Sequence, residues 1–293
     1  MAKYGMVIDV ERCVGCYACW IACFDEHVGV DHKPIAAAQP ESGHRWMDIK
    51  PREQGTFPKL KVTHTPLPCL MCEDAPCMKV ESNGAVTRRP DGIVLIDPEK
   101  ARGQKQLIRS CPYGVIYWND LLNTAQKCTF CAHLLDEGWK QPRCVEVCPT
   151  QALVFGDLED GSSGVAARMA EPAIEELRPD WEHRTLVRYI ALPKRLVCGE
   201  VVLADRPEEP APGVMVSLRC GAEVLAAATD SYGDFEFKGV KPNEEYVLQL
   251  SHPGYKAREL RVSTRADVDL GDGIIAELDW VEIEPAPEED ATP

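Results

Sequence analysis

Twelve of the fourteen cysteines in this 293-residue chain lie between residues 13 and 148, in runs of fixed spacing. One run reads C-x2-C-x2-C-x3-C: Cys13, Cys16, Cys19 and Cys23. Another reads C-x2-C-x4-C: Cys69, Cys72 and Cys77. The last reads C-x2-C-x12-C-x3-C: Cys128, Cys131, Cys144 and Cys148. Cysteines at this density bind metal or form disulfides, so they constrain the fold more than any other feature.

A further copy of the first run has lost most of its cysteines. Asp9 lies four residues before Cys13, and Asp97 lies four residues before the corresponding position, 101, at the end of a similar segment. Three positions of this copy hold other residues: Ala101, Gln104 and Leu107. Its fourth position keeps Cys111, and Glu81 stands where the run from Cys69 would have its own fourth cysteine. The chain therefore contains four related runs, numbered one to four in chain order.

The replaced positions fall together when the second and third runs are paired. In two-cluster ferredoxins the fourth cysteine of each run ligates the other cluster. Under that exchange one set of four is complete: Cys69, Cys72, Cys77 and Cys111. The other set is replaced throughout: Glu81, Ala101, Gln104 and Leu107. Random loss would damage two clusters, whereas this pattern removes one cluster and keeps its neighbour.

The first and fourth runs pair by the same rule and give two more complete sets. The set for cluster 1 is Cys13, Cys16, Cys19 and Cys148. The set for cluster 2 is Cys23, Cys128, Cys131 and Cys144. The complete set of the second and third runs is that of cluster 3. Because each [4Fe–4S] cluster takes four cysteine ligands, the sequence predicts three clusters and one lost cluster site.

Zinc is the main alternative, because paired C-x2-C units also form tetrahedral zinc sites. The compact first run and the prolines that follow Cys111 and Cys148 favour [4Fe–4S] clusters instead. A disulfide framework is disfavoured in a chain of this length that shows no signal peptide. Cys198 and Cys220 have no partner at ligand spacing, and we expect them to be small hydrophobic residues, with a disulfide between them as the alternative.

Composition bounds the partners and the location. The net charge of −15 argues against nucleic-acid binding, because nucleic acids select basic protein faces. No apolar run reaches the ~18 residues that indicate a membrane-spanning helix, so no direct membrane insertion is expected. No export signal precedes the first predicted strand. These features predict a cytoplasmic protein, and a periplasmic location through co-export with a partner that carries a twin-arginine signal stays open.

Residues 1–156 are expected to form the cluster-binding domain. Strands Tyr4–Val10 and Ile93–Asp97 lead into the first and third runs. The replaced positions from Ala101 to Leu107 have good helix propensity, which predicts a plain helix in the volume of the lost cluster. Residues 24–68 form a long insertion, which favours a functional role or structure of its own.

Polar and aromatic side chains of this insertion are candidates for contacts. Four histidines match no metal-site spacing, and surface or partner contact is favoured over metal binding: His27, His32, His44 and His64. Arg45 and Trp46 are residue types that are enriched at interface hot spots. The insertion is therefore expected to present these side chains to a partner.

The remaining chain changes character twice. Residues 157–195 contain no cysteine and are expected to be a connector with a helical stretch, Val165–Glu176. In residues 196–281 apolar residues alternate with others, as in Val214, Val216 and Leu218, which predicts an all-β sandwich or barrel of about seven strands. Residues 282–293 are an acidic, proline-rich tail that is expected to be disordered.

Four such runs in one chain resemble the iron–sulfur β subunits of the molybdopterin oxidoreductases, the dimethyl sulfoxide reductase superfamily, over about the first 155 residues. The lost cluster and the added β-domain are similar to the small subunits of the pyrogallol–phloroglucinol transhydroxylases, and so are three segments: His44–Met47, Asp91–Lys100 and Gln126–Asp136. The turn Tyr232–Phe235 resembles those of transthyretin-like and carboxypeptidase-regulatory domains. The resemblance implies an α+β fold, in which a tandem ferredoxin-like domain precedes the β-domain.

The resemblance also implies a role and a partner. The partner would be a large catalytic subunit with molybdenum or tungsten on bis(molybdopterin guanine dinucleotide), in an αβ heterodimer or a multiple of it. This chain would have no catalytic residues and would transfer electrons, in an enzyme that moves hydroxyl groups between polyphenols. Two alternatives stay open: an electron relay of a reductive dehydroxylase, phenol hydroxylase or related oxidoreductase that meets an external redox protein, and an assembly or docking subunit whose clusters are structural.

Overall fold

A computed structural model describes residues 2–55, 60–181, 183–270 and 281–283. The chain divides into two compact units. Unit 1 comprises Met1–Arg52 and Thr63–Leu192, and unit 2 comprises Glu53–Val62 and Pro193–Pro293. Every cysteine of the four runs therefore belongs to unit 1.

The helices of the described residues all lie in unit 1 and are short. They are α1 (Ala18–His27), α2 (Pro76–Val80), α3 (Gln106–Ser110), α4 (Ala132–Asp136), α5 (Arg143–Glu146) and α6 (Gly164–Met169). Five of them have four to six residues, and four of these five lie in or beside the second, third and fourth runs. Helices this short are not stable alone and depend on packing in the folded unit.

The strands of unit 1 form one four-stranded sheet and three hairpins. They are β1 (Tyr4–Asp9), β2 (Asp48–Gln54), β3 (Lys61–Leu67), β4 (Val86–Arg88), β5 (Val94–Ile96), β6 (Tyr117–Asn119), β7 (Thr124–Gln126), β8 (Leu153–Asp157), β9 (Ile174–Glu175) and β10 (Val187–Ile190). The hairpins are β2–β3, β4–β5 and β6–β7, and the tip of β2–β3 is grouped with unit 2. The insertion thus has structure of its own, as predicted.

The four-stranded sheet joins the start of the chain to the segment that was expected to be a connector. Its order is β8–β1–β10–β9, with β1 antiparallel to β8 and parallel to β10. Met6, Val7 and Ile8 of β1 are fully buried, so the strand is covered on both faces. A parallel pair requires a long connection between its strands, and residues 10–186 connect β1 to β10. Residues 157–192 are therefore part of unit 1, and the helix within them, α6, ends at Met169 rather than Glu176.

The predicted helix over the replaced positions is wrong in its extent. Residues 101–105 form turns, and α3 begins only at Gln106. Gly103 interrupts the helix because its backbone is left-handed, with φ of 76°. The other part of the prediction agrees with the structure, since Ala101 and Leu107 are completely buried and fill this part of the core.

Unit 2 is built from strands in two sheets. The strands are β11 (Arg195–Leu203), β12 (Arg206–Pro210), β13 (Met215–Cys220), β14 (Glu223–Ala228), β15 (Asp234–Val240), β16 (Glu245–Ser251), β17 (Arg258–Ser263), β18 (Val268–Asp269) and β19 (Val281–Ile283). One sheet has the order β12–β11–β15, and β18 and β19 also pair with β11. The other has the order β14–β13–β16–β17.

Both sheets of unit 2 contribute to a single core. Val197 and Phe235 of the first sheet join Leu218 and Leu248 of the second in one buried cluster. The predicted alternation is confirmed, because Leu218 is fully buried whereas Met215 is 50% exposed. Burying each large apolar side chain stabilises such a core by about 1.5–3 kcal/mol.

Three further predictions concern cysteines, the tail and membranes. Cys198 is buried, Cys220 is partly buried, and no disulfide joins them. Residues 284–293 of the expected acidic tail lie outside the described residues, while Glu282 and Ile283 belong to β19. In the described part of the chain, no helix has the length and apolar character needed to cross a membrane.

Candidate iron–sulfur centres

The cysteines predicted for cluster 3 surround one cavity. Its lining includes Cys69, Cys72, Cys77 and Cys111, and its empty volume is about 350 Å³. Helix α2 carries Cys77, and Cys111 directly follows α3, so the packing of α2 on α3 brings these two together. The structure therefore assembles four thiols from two runs that are separated in the sequence.

The cysteines predicted for cluster 1 surround a second cavity. Its lining includes Cys13, Cys16, Cys19 and Cys148, and its empty volume is about 310 Å³. Cys19 lies on α1, and Cys148 comes two residues after α5, which packs on α1. Cys16 is exposed, so this set reaches the surface of unit 1.

The cysteines predicted for cluster 2 are buried together in the core. Burial raises the pKa of Cys23 well above its usual value, and the nearby Cys128 and Cys131 raise it further. Burial likewise raises the pKa of Cys144, followed by the effects of Cys131, Cys128 and Cys23. These mutual effects require that the four sulfurs lie close to one another.

The set for cluster 2 lies between the other two sets. Cys144 is influenced by Cys19 of the cluster 1 set. Cys128 is influenced by Cys69 of the cluster 3 set, whose backbone N–H also donates a hydrogen bond to its sulfur. The three sets therefore form a row in the order cluster 1, cluster 2, cluster 3.

One backbone feature recurs in all four runs. The residue before the second cysteine position is left-handed in each run: Gly15 (φ 65°), Met71 (φ 48°), Gly103 (φ 76°) and Phe130 (φ 54°). For Met71 and Phe130 this conformation costs about 1–2 kcal/mol, so the fold must impose it. Turns of this kind aim successive backbone N–H groups at one point and are common around anions and iron–sulfur clusters.

The thiol chemistry fits a soft cation. Burial and the neighbouring thiols raise the pKa of Cys19 and of Cys72 to about 12, and burial raises that of Cys131 to about 12. At neutral pH these thiols therefore stay protonated unless metal replaces the protons. Iron and zinc both accept thiolate ligands, but three sets of four on paired runs fit the cubane better than isolated tetrahedral zinc.

The vacated site, defined by the replaced positions 81, 101, 104 and 107, contains a hydrogen-bond network. Gln104 Nε2 donates to Ser82 O at 3.0 Å and to Lys100 O at 2.9 Å, and Gln104 Oε1 accepts from Ser82 N at 2.9 Å. Glu81 precedes Ser82, and its carboxylate accepts from Ala85 N at 2.6 Å. The Gln104 amide thus satisfies backbone groups that line the vacated site.

The insertion histidines are placed differently from the prediction. His27 and His44 are 1% and 5% exposed, so they are not surface groups. Trp46 is 1% exposed and contacts His27, with ring centroids 4.7 Å apart, because the insertion folds back on the core of unit 1. His64 packs edge-on against Tyr17. A surface role is therefore wrong for His27, His44 and Trp46, whereas His32 and His64 are partly exposed and Arg45 is exposed. Contact of this insertion with a partner stays a prediction.

A polar cluster that the sequence did not reveal forms around Glu26. His133 Nε2 lies 2.9 Å and His32 Nε2 3.9 Å from Glu26 Oε1, and Arg143 Nε lies 3.4 Å from Glu26 Oε2. The two imidazole rings are stacked, with centroids 3.7 Å apart and 16° between their planes, and ligand atoms of Glu26, His32 and His133 lie within 4.8 Å of one another. The cluster ties the insertion to the fourth run.

A second residue missed from the sequence is Lys127, which is 2% exposed beside the cluster 3 cavity. Its position directly before Cys128 was the only available signal, since burial of a lysine cannot be inferred from one sequence.

Comparison with known proteins agrees with this site. The family model of the 4Fe-4S dicluster domain matches residues 60–158. The pyrogallol hydroxytransferase small subunit of Pelobacter acidigallici is 41% identical over 92% of this chain and 98% of its own length. A sulfite dehydrogenase subunit of Allochromatium vinosum is 34% identical over 67% of this chain and 85% of its own length. The arsenate respiratory reductase iron–sulfur subunit of a Shewanella species is 31% identical over 61% of this chain and 92% of its own length.

Among solved structures, the Bacillus anthracis TIE protein aligns with 34% of this chain and 18% of its own, at 13% identity and a TM-score of 0.23, which carries no argument about the fold. The sequence relatives are decisive, because one of them matches nearly from end to end at 41% identity. The chain belongs to the family of iron–sulfur subunits of the molybdopterin oxidoreductases, which includes the pyrogallol hydroxytransferase small subunit.

Proposed function

We propose that this chain is the electron-transfer subunit of a heteromeric molybdenum or tungsten enzyme that moves hydroxyl groups between polyphenols. The observation that carries this proposal is the extent of the match to the pyrogallol hydroxytransferase small subunit, 92% of this chain. The matches to the sulfite dehydrogenase and arsenate reductase subunits cover 67% and 61%. The extended match favours a shared partner, a large subunit with a bis-molybdopterin cofactor.

In this proposal the three sets of cysteines ligate three [4Fe–4S] clusters. When bound, each cluster supplies reversible one-electron transfer at a potential that the protein sets through burial and hydrogen bonds to sulfur. The chain itself provides the thiolates and the left-handed turns before the second cysteine of each intact run. Burial of the middle set keeps water away from the row, because Cys23, Cys128 and Cys144 are 5–7% exposed.

Transfer of a hydroxyl group from one polyphenol to another leaves the overall oxidation state unchanged. Electrons are then needed only to bring the metal of the partner to its working state, and a row of three clusters is sufficient for that purpose. The vacated site agrees with this use, because a subunit that does not carry electrons in every turnover does not need a fourth cluster.

A second candidate is an electron relay of a reductive dehydroxylase or phenol hydroxylase. The exposure of Cys16 in the cluster 1 set favours it, because a cluster at the surface can exchange electrons with an external redox protein. In such an enzyme, electrons must enter or leave in every turnover.

The test is to purify the protein without oxygen from its native host, identify the subunit that co-purifies, and measure iron, zinc, molybdenum and tungsten. We expect iron with molybdenum or tungsten, a large subunit, and hydroxyl transfer on pyrogallol-type phenols that needs no stoichiometric electron donor. Turnover that consumes a donor in proportion to product supports the second candidate instead. Zinc in place of iron, or iron without molybdenum, tungsten or a large subunit, contradicts the proposal.

A further inference from the structure

Lys127 is a buried lysine next to two sets of cysteines. It is 2% exposed and lines the cavity that Cys69, Cys72, Cys77 and Cys111 surround. Its backbone leads directly into Cys128 of the cluster 2 set. Its side-chain nitrogen therefore lies where two proposed clusters adjoin.

The contacts of this ammonium group are neutral. Nζ donates hydrogen bonds to Val94 O and, at 3.0 Å, to Cys128 O, and Met71 Sδ lies 4.0 Å away. Among the described residues, no carboxylate forms an ion pair with Nζ. Burying a charge without an opposite charge is costly, so a group outside the protein's own carboxylates must supply the negative charge.

The cysteine sets are the available source of that charge. The positive charge of Lys127 is the second largest influence on the pKa of Cys77, after burial, and lowers it. It also lowers the pKa of Cys128, after the effects of burial, Cys69 and the Phe130 backbone N–H. Lys127 lines the cavity of the cluster 3 set and directly precedes Cys128, so its ammonium group lies beside both sets.

We propose that Lys127 is the counter-charge of clusters 3 and 2 and raises the reduction potential of cluster 3 most. The inference rests on the proposed cluster assignment. A cubane with four thiolate ligands gains one unit of negative charge when it accepts one electron. A fixed positive charge at short range in a medium of low polarity stabilises the reduced form more than the oxidised form.

Lys127 acts unevenly along the row. Cluster 3 is the last centre before the vacated site, and cluster 1 lies at the other end, away from Lys127. The charge of Lys127 would therefore make cluster 3 a better electron acceptor than the same site without that charge. Lys127 thus supplies a fixed positive charge beside the clusters and does not ligate them.

The experiment is a redox titration monitored by electron paramagnetic resonance, on the full chain purified without oxygen together with its co-purifying partner. Lys127→Gln keeps a hydrogen-bond donor and removes the charge, Lys127→Arg keeps the charge, and Lys105→Gln is the matched control at an exposed lysine that packs on Trp118. Signals are assigned by their loss in Cys19→Ser, Cys131→Ser and Cys72→Ser. Iron per chain is measured in every sample.

We expect Lys127→Gln to keep its iron and to lower the reduction equilibrium constant of cluster 3 about tenfold, a shift of about 59 mV to more negative potential for one electron. The shift is smaller at cluster 2 and absent at cluster 1, and Lys105→Gln changes none of them. If Lys127→Gln loses iron, Lys127→Arg with full iron and the parental potential supports the inference.

Three results overturn it: an unchanged cluster 3 potential in iron-loaded Lys127→Gln, an equal shift in Lys105→Gln, or loss of iron in Lys127→Arg as well as in Lys127→Gln. Absence of iron from the unsubstituted chain is a different result, which refutes the proposed function itself.

Discussion

The cysteine set predicted for cluster 3 and the vacated site share one backbone feature, a left-handed residue before the second cysteine position. They differ in the side chains that this turn accompanies. Met71, before Cys72, has φ of 48°, and Gly103, before Gln104, has φ of 76°. In the first case the turn faces a cavity of about 350 Å³ that four cysteines help to line. In the second, Ala101 and Leu107 are fully buried and the Gln104 amide bonds to backbone groups.

This comparison shows that the turn persists without its ligands. The left-handed residue at 103 is retained although positions 101, 104 and 107 have no cysteine, so the local fold of a run does not depend on a bound cluster. The two sites differ in their side chains. Four thiols help to line a cavity at the cluster 3 set, whereas apolar side chains and the Gln104 amide occupy the vacated site. This difference supports the proposal that one cluster of the row was lost as a unit.

The largest expected effect is the conversion of the vacated site into a cluster site. Replacing all four positions with cysteine, Glu81→Cys, Ala101→Cys, Gln104→Cys and Leu107→Cys, should add about four iron atoms per chain, because one [4Fe–4S] cluster needs four thiolates. Iron and acid-labile sulfide analysis checks this.

The matched control is Gln104→Cys alone, which should leave the iron content unchanged. A single restoration that adds a whole cluster would show that the pairing of the second and third runs is wrong.

The next largest effect is on the pH dependence of stability, to which the buried cysteine sets contribute and the vacated site does not. In the iron-free chain, burial raises the pKa of Cys19 and Cys131 to about 12 and that of Cys128 to about 11, from 9.0. Between pH 9 and these values the folded chain holds more protons than the unfolded chain, so the free energy of unfolding falls as pH rises. We expect a loss of about 1 kcal/mol per cysteine per pH unit in denaturant titrations.

The control for this prediction is the iron-free chain with Cys19→Ser, Cys128→Ser and Cys131→Ser, since serine does not titrate in this range. Its stability should depend less steeply on pH. An identical slope in both proteins would mean that these thiols are not buried together.

The smallest effect tests the hydrogen bonds of Gln104 in the vacated site. Gln104→Ala removes the hydrogen bonds to Ser82 and Lys100, whose backbone groups are partly buried at these contacts, and should lower the free energy of unfolding by about 1–2 kcal/mol. Denaturant titration measures the change, and hydrogen exchange should show faster opening of residues 80–107.

Gln249→Ala is the control, because Gln249 is an exposed glutamine on β16, outside the network of Gln104. Equal destabilisation by the two substitutions would remove the special role of Gln104.

The grouping of the cysteines could be predicted from the sequence, because ligand spacing is a local property and the exchange rule links runs that are far apart in the chain. The lost cluster at the replaced positions is predicted for the same reason. The alternation of Val214, Val216 and Leu218 likewise predicted their shared buried face. Local chemistry and periodicity carried all of these predictions.

Features that depend on distant packing were not accessible in this way. The parallel pairing of β1 with β10 joins residues about 180 positions apart, and no local signal in residues 157–195 indicates it. The burial of His27, Trp46 and Lys127 depends on how the insertion and the fourth run fold over the core. Gly103 did carry a signal against the predicted helix, since glycine favours the left-handed turn that each intact run also contains.

The most direct test of three clusters beside one vacated site is the iron content of protein purified without oxygen, compared with that of Cys72→Ser and of Cys220→Ser. About twelve iron atoms per chain are expected in the parent and in Cys220→Ser, and about eight in Cys72→Ser, since each complete set holds one cubane. About sixteen in the parent would mean that the vacated site still binds a cluster. About eight in the parent, or zinc in place of iron, would contradict the assignment of the three cysteine sets.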